Sequence, residues 1–156
     1  MPLHIPVVHT SGTVRLDVFS NFERRGVLYP LQTLSRIRSV KLEGVPFLIE
    51  ANTSELEQEI TKFCKQHLSS NCFTINSESR LKVHLSAVMA NNFSTYLFGL
   101  ATEILRNSQL PEDLLNPLLQ ETVSKFIALG YEQSQTGPAR RSDEGTIERH
   151  LALLKD

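Results

Sequence analysis

Residues 77–107 read SESRLKVHLSAVMANNFSTYLFGLATEILRN, and this stretch decides the fold class. The spacing predicts one helix capped by Ser77 and running over residues 78–107, about 40–45 Å at 1.5 Å per residue. A helix that is apolar over so much of its surface packs against several neighbours or against a second subunit. Its apolar residues cover more than one face: Leu81, Leu85, Val88, Met89, Phe93, Tyr96, Leu97, Leu100 and Ile104.

The sequence before Ser77 alternates short apolar runs with helical patterns. Residues 5–9, 27–29, 46–50 and 72–75 have the composition of buried strands. Helical spacing covers residues 14–25, with Gly26 as the C-cap, and residues 55–67, with Ser54 as the N-cap and Glu57 placed for a capping box. Residues 36–43 are polar and predict a loop or a short edge segment. Strands separated by such helices predict a parallel α/β sheet.

Only helices are predicted after Ser77. Leu110-Pro111 opens the next one, and Asn116-Pro117 restarts or kinks it before it reaches Gly130. A loop over residues 131–142 leads to a last helix that starts at Ser142 or Asp143 and is still running at residue 156. We therefore expect two domains, residues 1–77 and residues 78–156.

Composition narrows the class of protein. The 156 residues are 40% hydrophobic and 21% charged, with a formal net charge of −1. Near-neutral charge argues against a nucleic-acid partner, because phosphates are neutralised by an excess of Lys and Arg. No apolar run approaches the roughly 20 residues of a membrane helix, and the first residues do not form a signal peptide. Cys64 and Cys72 are too few for a disulfide framework, so we expect reduced thiols and a cytoplasmic protein.

A polar stripe follows the long predicted helix. His84, Asn91, Thr95 and Thr102 are spaced by seven, four and seven residues and therefore share one face. Buried polar groups need partners, because each unpaired one costs about 1–3 kcal/mol. The stripe is either a hydrogen-bonded seam between helices or one wall of a substrate pocket. In the second case His84 acts as an acid or base, or donates to a carbonyl group.

Two further segments have ligand-binding character. His9-Thr10-Ser11-Gly12 follows the first predicted strand, where α/β sheets bind ligands, although the same residues also suit a simple turn. A Ser-His hydrolase that uses Ser11 is a further alternative, although the sequence has no G-x-S-x-G elbow. The loop at residues 135–143, which leads into the last predicted helix and contains Arg140 and Arg141, suits an anion or a carboxylate. Alternatively, it precedes a well-capped helix and its arginines are solvated. The seven glycines include no pair spaced for a phosphate-binding turn.

Four segments occur in the order found in one family: residues 9–12, 29–33, 84–93 and 135–139, with Arg141 and Asp143 after the last. The sequence resembles an uncharacterised family of bacterial Rossmann-like oxidoreductases with a C-terminal helical domain of unknown function. That family is similar to pyrroline-5-carboxylate reductases, prephenate dehydrogenases and deazaflavin-dependent NADP oxidoreductases. The resemblance implies an α/β part followed by an all-α part. We expect a partial Rossmann-like parallel sheet and a helical domain built on one long central helix.

The resemblance also implies a function and a site. The parent protein would transfer hydride between NADP or NAD and a small substrate, and the helical domain would form a homodimer and one wall of the active site. The family begins with a glycine-rich turn that this sequence lacks, so we expect a fragment that is inactive or weak alone. The alternative is a non-enzymatic helical dimerisation module. No metal is expected. The implied roles are catalytic for His84, Asn91 and Asn92, cofactor-binding for His9, Thr10, Ser11 and Gly12, and substrate-binding for Gln32, Thr136, Gly137 and Arg141, with Pro30 and Thr33 beside them.

Overall fold

Four short strands form one sheet in the order β1-β2-β3-β4. The computed structural model describes residues 4–154, and in it the chain divides into a unit that ends at Phe98 and a unit that begins at Gly99. The sheet belongs to the first unit and contains β1 (Val7–His9), β2 (Arg25–Pro30), β3 (Phe47–Ala51) and β4 (Cys72–Thr74). The predicted α/β class, followed by helices, is confirmed.

The sheet is parallel at its two outer pairs and antiparallel in the middle. β1 pairs with β2 and β3 pairs with β4 in parallel, whereas β2 and β3 run antiparallel, with Leu28 opposite Ile49. Residues 31–46, between β2 and β3, contain no helix that could cross over the sheet. The chain returns across these residues in the opposite direction, so β3 lies antiparallel to β2.

The core lies between β3 and helix α1 (Ser54–His67). Phe47 and Ile49 of β3 pack against Leu56, Ile60 and Cys64 of α1, all less than 8% exposed. These three α1 residues recur at a spacing of four, which places them on one helix face. Among the described residues, every buried one lies between Gly12 and Arg80.

Two helix caps lie one residue before their predicted positions. The side chain of Thr53 accepts from the Leu56 amide at the start of α1, and Asn76 does the same for the Ser79 amide at the start of α2 (Ser77–Ala87). The predictions of Ser54 and Ser77 as caps were wrong, because Thr53 and Asn76 stand directly before these serines and their side chains also cap helices. Glu57 falls outside a capping box.

The helix predicted over residues 14–25 is wrong. Only a single 3₁₀ turn forms there, Leu16–Phe19, and Gly26 is a β2 residue rather than a C-cap. A Cβ atom at Gly26 would lie 2.6 Å from Cδ1 of Ile60. Glycine therefore fits where β2 approaches α1, whereas a side chain would crowd Ile60.

The predicted long helix is helical throughout but not uniform. α2 passes into a π-helical segment, Val88–Phe93, and then into α3 (Ser94–Asn107). A π segment widens the helix and changes the direction of the side chains that follow it, so the predicted single stripe is interrupted. In the described part of the chain, no helix is both long and apolar enough to span a membrane.

The second unit is helical. It contains a 3₁₀ turn, Glu112–Leu115, then α4 (Asn116–Ser134) and α5 (Glu144–Leu153). Pro117 lies in the first turn of α4, as predicted, and Gly130 breaks the helix with a φ of 75°. α5 begins directly after Asp143, one of the two predicted starts, and the side chain of Asp143 caps it. Residue 156, to which the last helix was predicted to extend, lies outside the described residues.

Candidate functional site

A pocket of about 400 Å³ lies in the first unit, between the end of β2 and the junction of α2 with the π segment. Five residues that the sequence singled out line it: Gln32, Thr33, His84, Asn91 and Asn92. The other lining residues are Tyr29, Leu31, Ala87, Val88 and Ala90. Segments about 50 residues apart in sequence thus meet at one place.

His84 is held at the edge of this pocket by Tyr29. The Tyr29 hydroxyl lies 3.0 Å from Nδ1 of His84, and the two rings pack edge to face with centroids 5.8 Å apart. Gly12 is buried against the same edge, because a Cβ atom there would lie 2.5 Å from Nδ1 of His84 and 3.0 Å from Cζ of Tyr29. The strand-end turn at Gly12 therefore contacts the imidazole through its backbone.

The π segment brings two neighbouring carboxamides to the pocket. Nδ2 of Asn91 donates to Oδ1 of Asn92 at 2.9 Å, and both residues line the pocket. Adjacent residues of a regular α-helix point about 100° apart, so the wider π turn favours this arrangement. The Thr95 hydroxyl donates to the Asn91 carbonyl at 2.8 Å and so bonds the helix backbone.

The pocket lining carries no carboxylate, ammonium or guanidinium group. Burial raises the pKa of Tyr29, so this hydroxyl stays protonated at neutral pH. Burial and the neighbouring Cys72 raise the pKa of Cys64, which lies in the core, to about 12. Within residues 4–154 no three His, Cys, Asp or Glu side chains are grouped so that they could hold a metal ion. The pocket suits a neutral polar group.

The residues before Gly12 form a turn with internal hydrogen bonds. The Ser11 amide donates to Nδ1 of His9 at 3.2 Å, and Oγ of Ser11 accepts from the amides of Thr13 and Val14. His9, Thr10 and Ser11 do not line the pocket, so Gly12 alone of the four predicted cofactor residues contacts its edge. The Ser11 hydroxyl contacts no histidine in the described residues, so the geometry gives a hydrolase no support.

His9 makes stability depend on pH. Burial, and then the positive charge of Arg80, lower the pKa of His9 below its usual 6.5. As the pH falls, the unfolded chain therefore binds a proton at a higher pH than the folded chain does. The stability contributed by His9 falls as pH drops from 6.5.

We expect His9→Asn, which keeps an acceptor for the Ser11 amide but cannot titrate, to show a shallower loss of stability between pH 6.5 and 5. Urea unfolding at stepped pH measures both slopes, and equal slopes would contradict the assignment.

A buried ion pair fixes the start of α2 against the sheet. The Arg80 guanidinium bonds the Glu50 carboxylate of β3 and donates to the Val14 carbonyl at 2.6 Å, and the Ser77 hydroxyl donates to Glu50 at 2.8 Å. Arg80 is 1% exposed and lies four residues before His84, one helical turn away. The sequence analysis missed both charges, because a single Arg and a single Glu 30 residues apart give no local signal.

The remaining predicted residues belong to the second unit. Thr136, Gly137 and Arg141 lie between α4 and α5, where Gly137 has a φ of 105° that favours glycine. Arg141 is exposed, and its guanidinium bonds no other side chain in the described part of the chain. Their predicted role in closing the site stays a prediction.

Two neighbours of these residues stabilise helix ends. The guanidinium of Arg140 donates to the carbonyls of Glu132 and Gln135 at 2.5 and 2.6 Å, at the end of α4. The Asp143 carboxylate accepts from the Thr146 amide at 3.1 Å and from its hydroxyl at 2.9 Å. Asp143 thus already occupies one of the α5 amides that were predicted to suit an anion.

Comparison with known proteins finds a matching family model and similar crystal structures. A family model described as a domain of unknown function, DUF2520, matches residues 45–156. The crystal structure of the putative NADP oxidoreductase BF3122 from Bacteroides fragilis matches with a TM-score of 0.90 and 38% identity, over 94% of this chain and 57% of that one. Protein TM1727 from Thermotoga maritima matches with a TM-score of 0.80 and 25% identity, over 93% and 59%. The chain spans less than two thirds of the length of either of these proteins. No curated protein matches it.

Proposed function

This chain belongs to the DUF2520 family. We propose that it forms part of an oxidoreductase that uses NADP or NAD. The similarity to a Bacteroides fragilis protein described as an NADP oxidoreductase supports the proposal. The observation that carries it is the pocket itself. Strand-end residues Gly12, Gln32 and Thr33 meet the long-helix residues His84 and Asn91 there.

The lining residues fit the nicotinamide end of such a cofactor. Reduced nicotinamide supplies hydride, and its neutral carboxamide pairs well with Gln32, Asn91 or Asn92 in a pocket without charged groups. His84 donates to the reacting oxygen of a small substrate. Since no glycines of this sequence are spaced for a phosphate turn, its own residues fit the cofactor at that end only.

The residues outside the pocket keep their proposed roles from the resemblance. His9, Thr10 and Ser11 lie beside Gly12 at the end of β1 and contact the cofactor through that turn. Arg141, with Thr136 and Gly137, binds a carboxylate of the substrate. A cytoplasmic location agrees with two unpaired cysteines, Cys64 and Cys72.

A titration with nicotinamide nucleotides tests the function. We expect NADPH and NADH to bind the ¹⁵N-labelled chain weakly, with NMR shifts around Thr33, His84 and Asn91, whereas ADP-ribose, which lacks nicotinamide, leaves these signals unchanged. Asn91→Ala, which removes a carboxamide partner of nicotinamide, should weaken binding about tenfold, the loss of one hydrogen bond. Lys82→Gln, at an exposed position of the preceding helix α2, is the matched control.

Two outcomes would overturn this proposal. Shifts that avoid the pocket, or that ADP-ribose reproduces, would remove the nicotinamide site. Affinity tighter than about 10 μM, or −7 kcal/mol, would show that this sequence holds the phosphates after all.

The helices of the second unit support a homodimer. None of its described residues is buried, and most of its large apolar side chains are exposed, with Phe126 at 54% and Ile127 at 77%. Exposed apolar area on that scale is typical of an interaction surface.

We expect light scattering after size exclusion to give twice the chain mass. Replacing Phe126 and Ile127 by Ser should give a monomer, and a monomeric wild type at high concentration would contradict the dimer. A dimer without nucleotide binding would favour the non-enzymatic interaction module.

A further inference from the structure

We propose that Tyr29 is a positioning residue that keeps the proton of neutral His84 on Nε2, so that the pocket presents an N–H donor to an uncharged acceptor such as a carbonyl oxygen. The inference deepens the proposed function and rests on it for the identity of that acceptor. Its structural basis is the 3.0 Å contact between the Tyr29 hydroxyl and Nδ1 of His84. No sequence motif assigns Tyr29 a role.

The direction of this hydrogen bond follows from acid strength. A phenol, with an ordinary pKa near 10, is a much better donor than a neutral imidazole N–H, and an imidazole nitrogen is the better acceptor. In the part of the chain that the structure describes, the Tyr29 hydroxyl has no other hydrogen-bond partner. It therefore donates to Nδ1, which leaves the single ring proton of neutral His84 on Nε2.

Packing fixes which edge of the ring stays available. Gly12 covers the Nδ1 and Cγ side, since a Cβ atom there would lie 2.5 and 2.8 Å from these atoms. Tyr29 occupies Nδ1 itself. Neither of these contacts involves Nε2, so we infer that this is the edge that His84 presents to the pocket it lines.

The Tyr29 hydroxyl can form a hydrogen bond with Nδ1 of His84 in both charge states of the ring. When the ring gains a second proton, Nδ1 becomes a donor and the Tyr29 oxygen can accept from it, because a hydroxyl both donates and accepts. Nε2 therefore carries a proton in either state. A ligand atom facing it must accept a hydrogen bond, and the lining adds no charge that would favour an ion.

Long-range ¹H–¹⁵N NMR of the full, ligand-free chain with labelled histidine tests this assignment. His84→Gln identifies the His84 signals among the five histidines. At a pH where the ring is neutral, we expect the Nε2–H form to dominate. In Tyr29→Phe the ratio of Nε2–H to Nδ1–H should fall about tenfold, because one hydrogen bond shifts an equilibrium by about that factor. Tyr131→Phe, an exposed tyrosine of the second unit, should leave the ratio unchanged.

The result overturning the assignment is a proton on Nδ1 in the wild type, or an unchanged ratio in Tyr29→Phe. A proton on Nδ1 in the wild type would overturn the assignment even if Tyr29→Phe fails to fold. Because no nucleotide is present, failure here is separate from failure of nicotinamide binding. If both results hold, the Nε2 signal should shift when NADPH is added and stay unchanged with ADP-ribose.

Discussion

Replacing Arg80 by methionine is expected to lower the free energy of unfolding by about 3–5 kcal/mol. The change leaves the Glu50 carboxylate, only 15% exposed, without its partner cation, and it removes the bond to the Val14 carbonyl. A buried charge that loses its partner keeps its desolvation cost. Urea unfolding followed by circular dichroism measures the loss.

The control for this prediction lies on the same helix. Lys82 pairs with Glu78 at 2.8 Å, but both side chains are more than 70% exposed. Lys82→Met should therefore change stability by no more than about 0.5 kcal/mol. Arg80→Met combined with Glu50→Met should recover much of the loss, since it removes both charges. A single Arg80→Met variant within about 1 kcal/mol of the wild type would show that the pair does not stabilise the fold.

Gly12→Ala should cost about 1–3 kcal/mol, the usual cost of overpacking. The added methyl group would lie 2.5 Å from Nδ1 of His84, so the imidazole or the turn has to move. We also expect the His84 tautomer ratio to change, because its contact with Tyr29 is disturbed. Thermal unfolding and the histidine spectrum together measure both effects.

Gly99→Ala is the matched control for Gly12→Ala. Gly99 lies within α3, and an added methyl group there would meet open space, so alanine should stabilise the helix by about 0.5–1 kcal/mol. If Gly12→Ala is as stable as the wild type and leaves the His84 signals unchanged, the close approach at Gly12 does not constrain the pocket.

The parts of the fold that were predicted correctly are those with a strong local pattern of apolar residues. Apolar spacing predicted the strands and the helical stretch over residues 77–107, and the resemblance to a Rossmann-like oxidoreductase family is confirmed. The antiparallel pairing of β2 with β3 has no local signal, because neither this connection nor the one between the parallel strands β1 and β2 contains an α-helix. Residues 36–43 were predicted as a loop or a short edge segment. The failed helix at residues 14–25 shows tertiary pairing overriding local spacing, because Arg25 and Gly26 pair within the sheet.

The site was partly predictable for the same reason. His84 and Asn91 are seven residues apart and reach one pocket, as helical spacing requires. The π segment that adds Asn92 has no composition signal, and the roles of Tyr29 and Arg80 depend on partners 55 and 30 residues away. Such long-range pairs become visible only when the chain is folded.

Intermolecular NOE spectroscopy of the full chain with NADPH tests whether nicotinamide binds in the pocket that His84 lines. We expect contacts from the nicotinamide ring protons to His84, Asn91 and Asn92. We also expect no contacts from the protons of ADP-ribose, which lacks nicotinamide, to these three residues. Contacts from nicotinamide to the separate groove beside Arg15, Glu50 and Ser77, with none to His84, would contradict it.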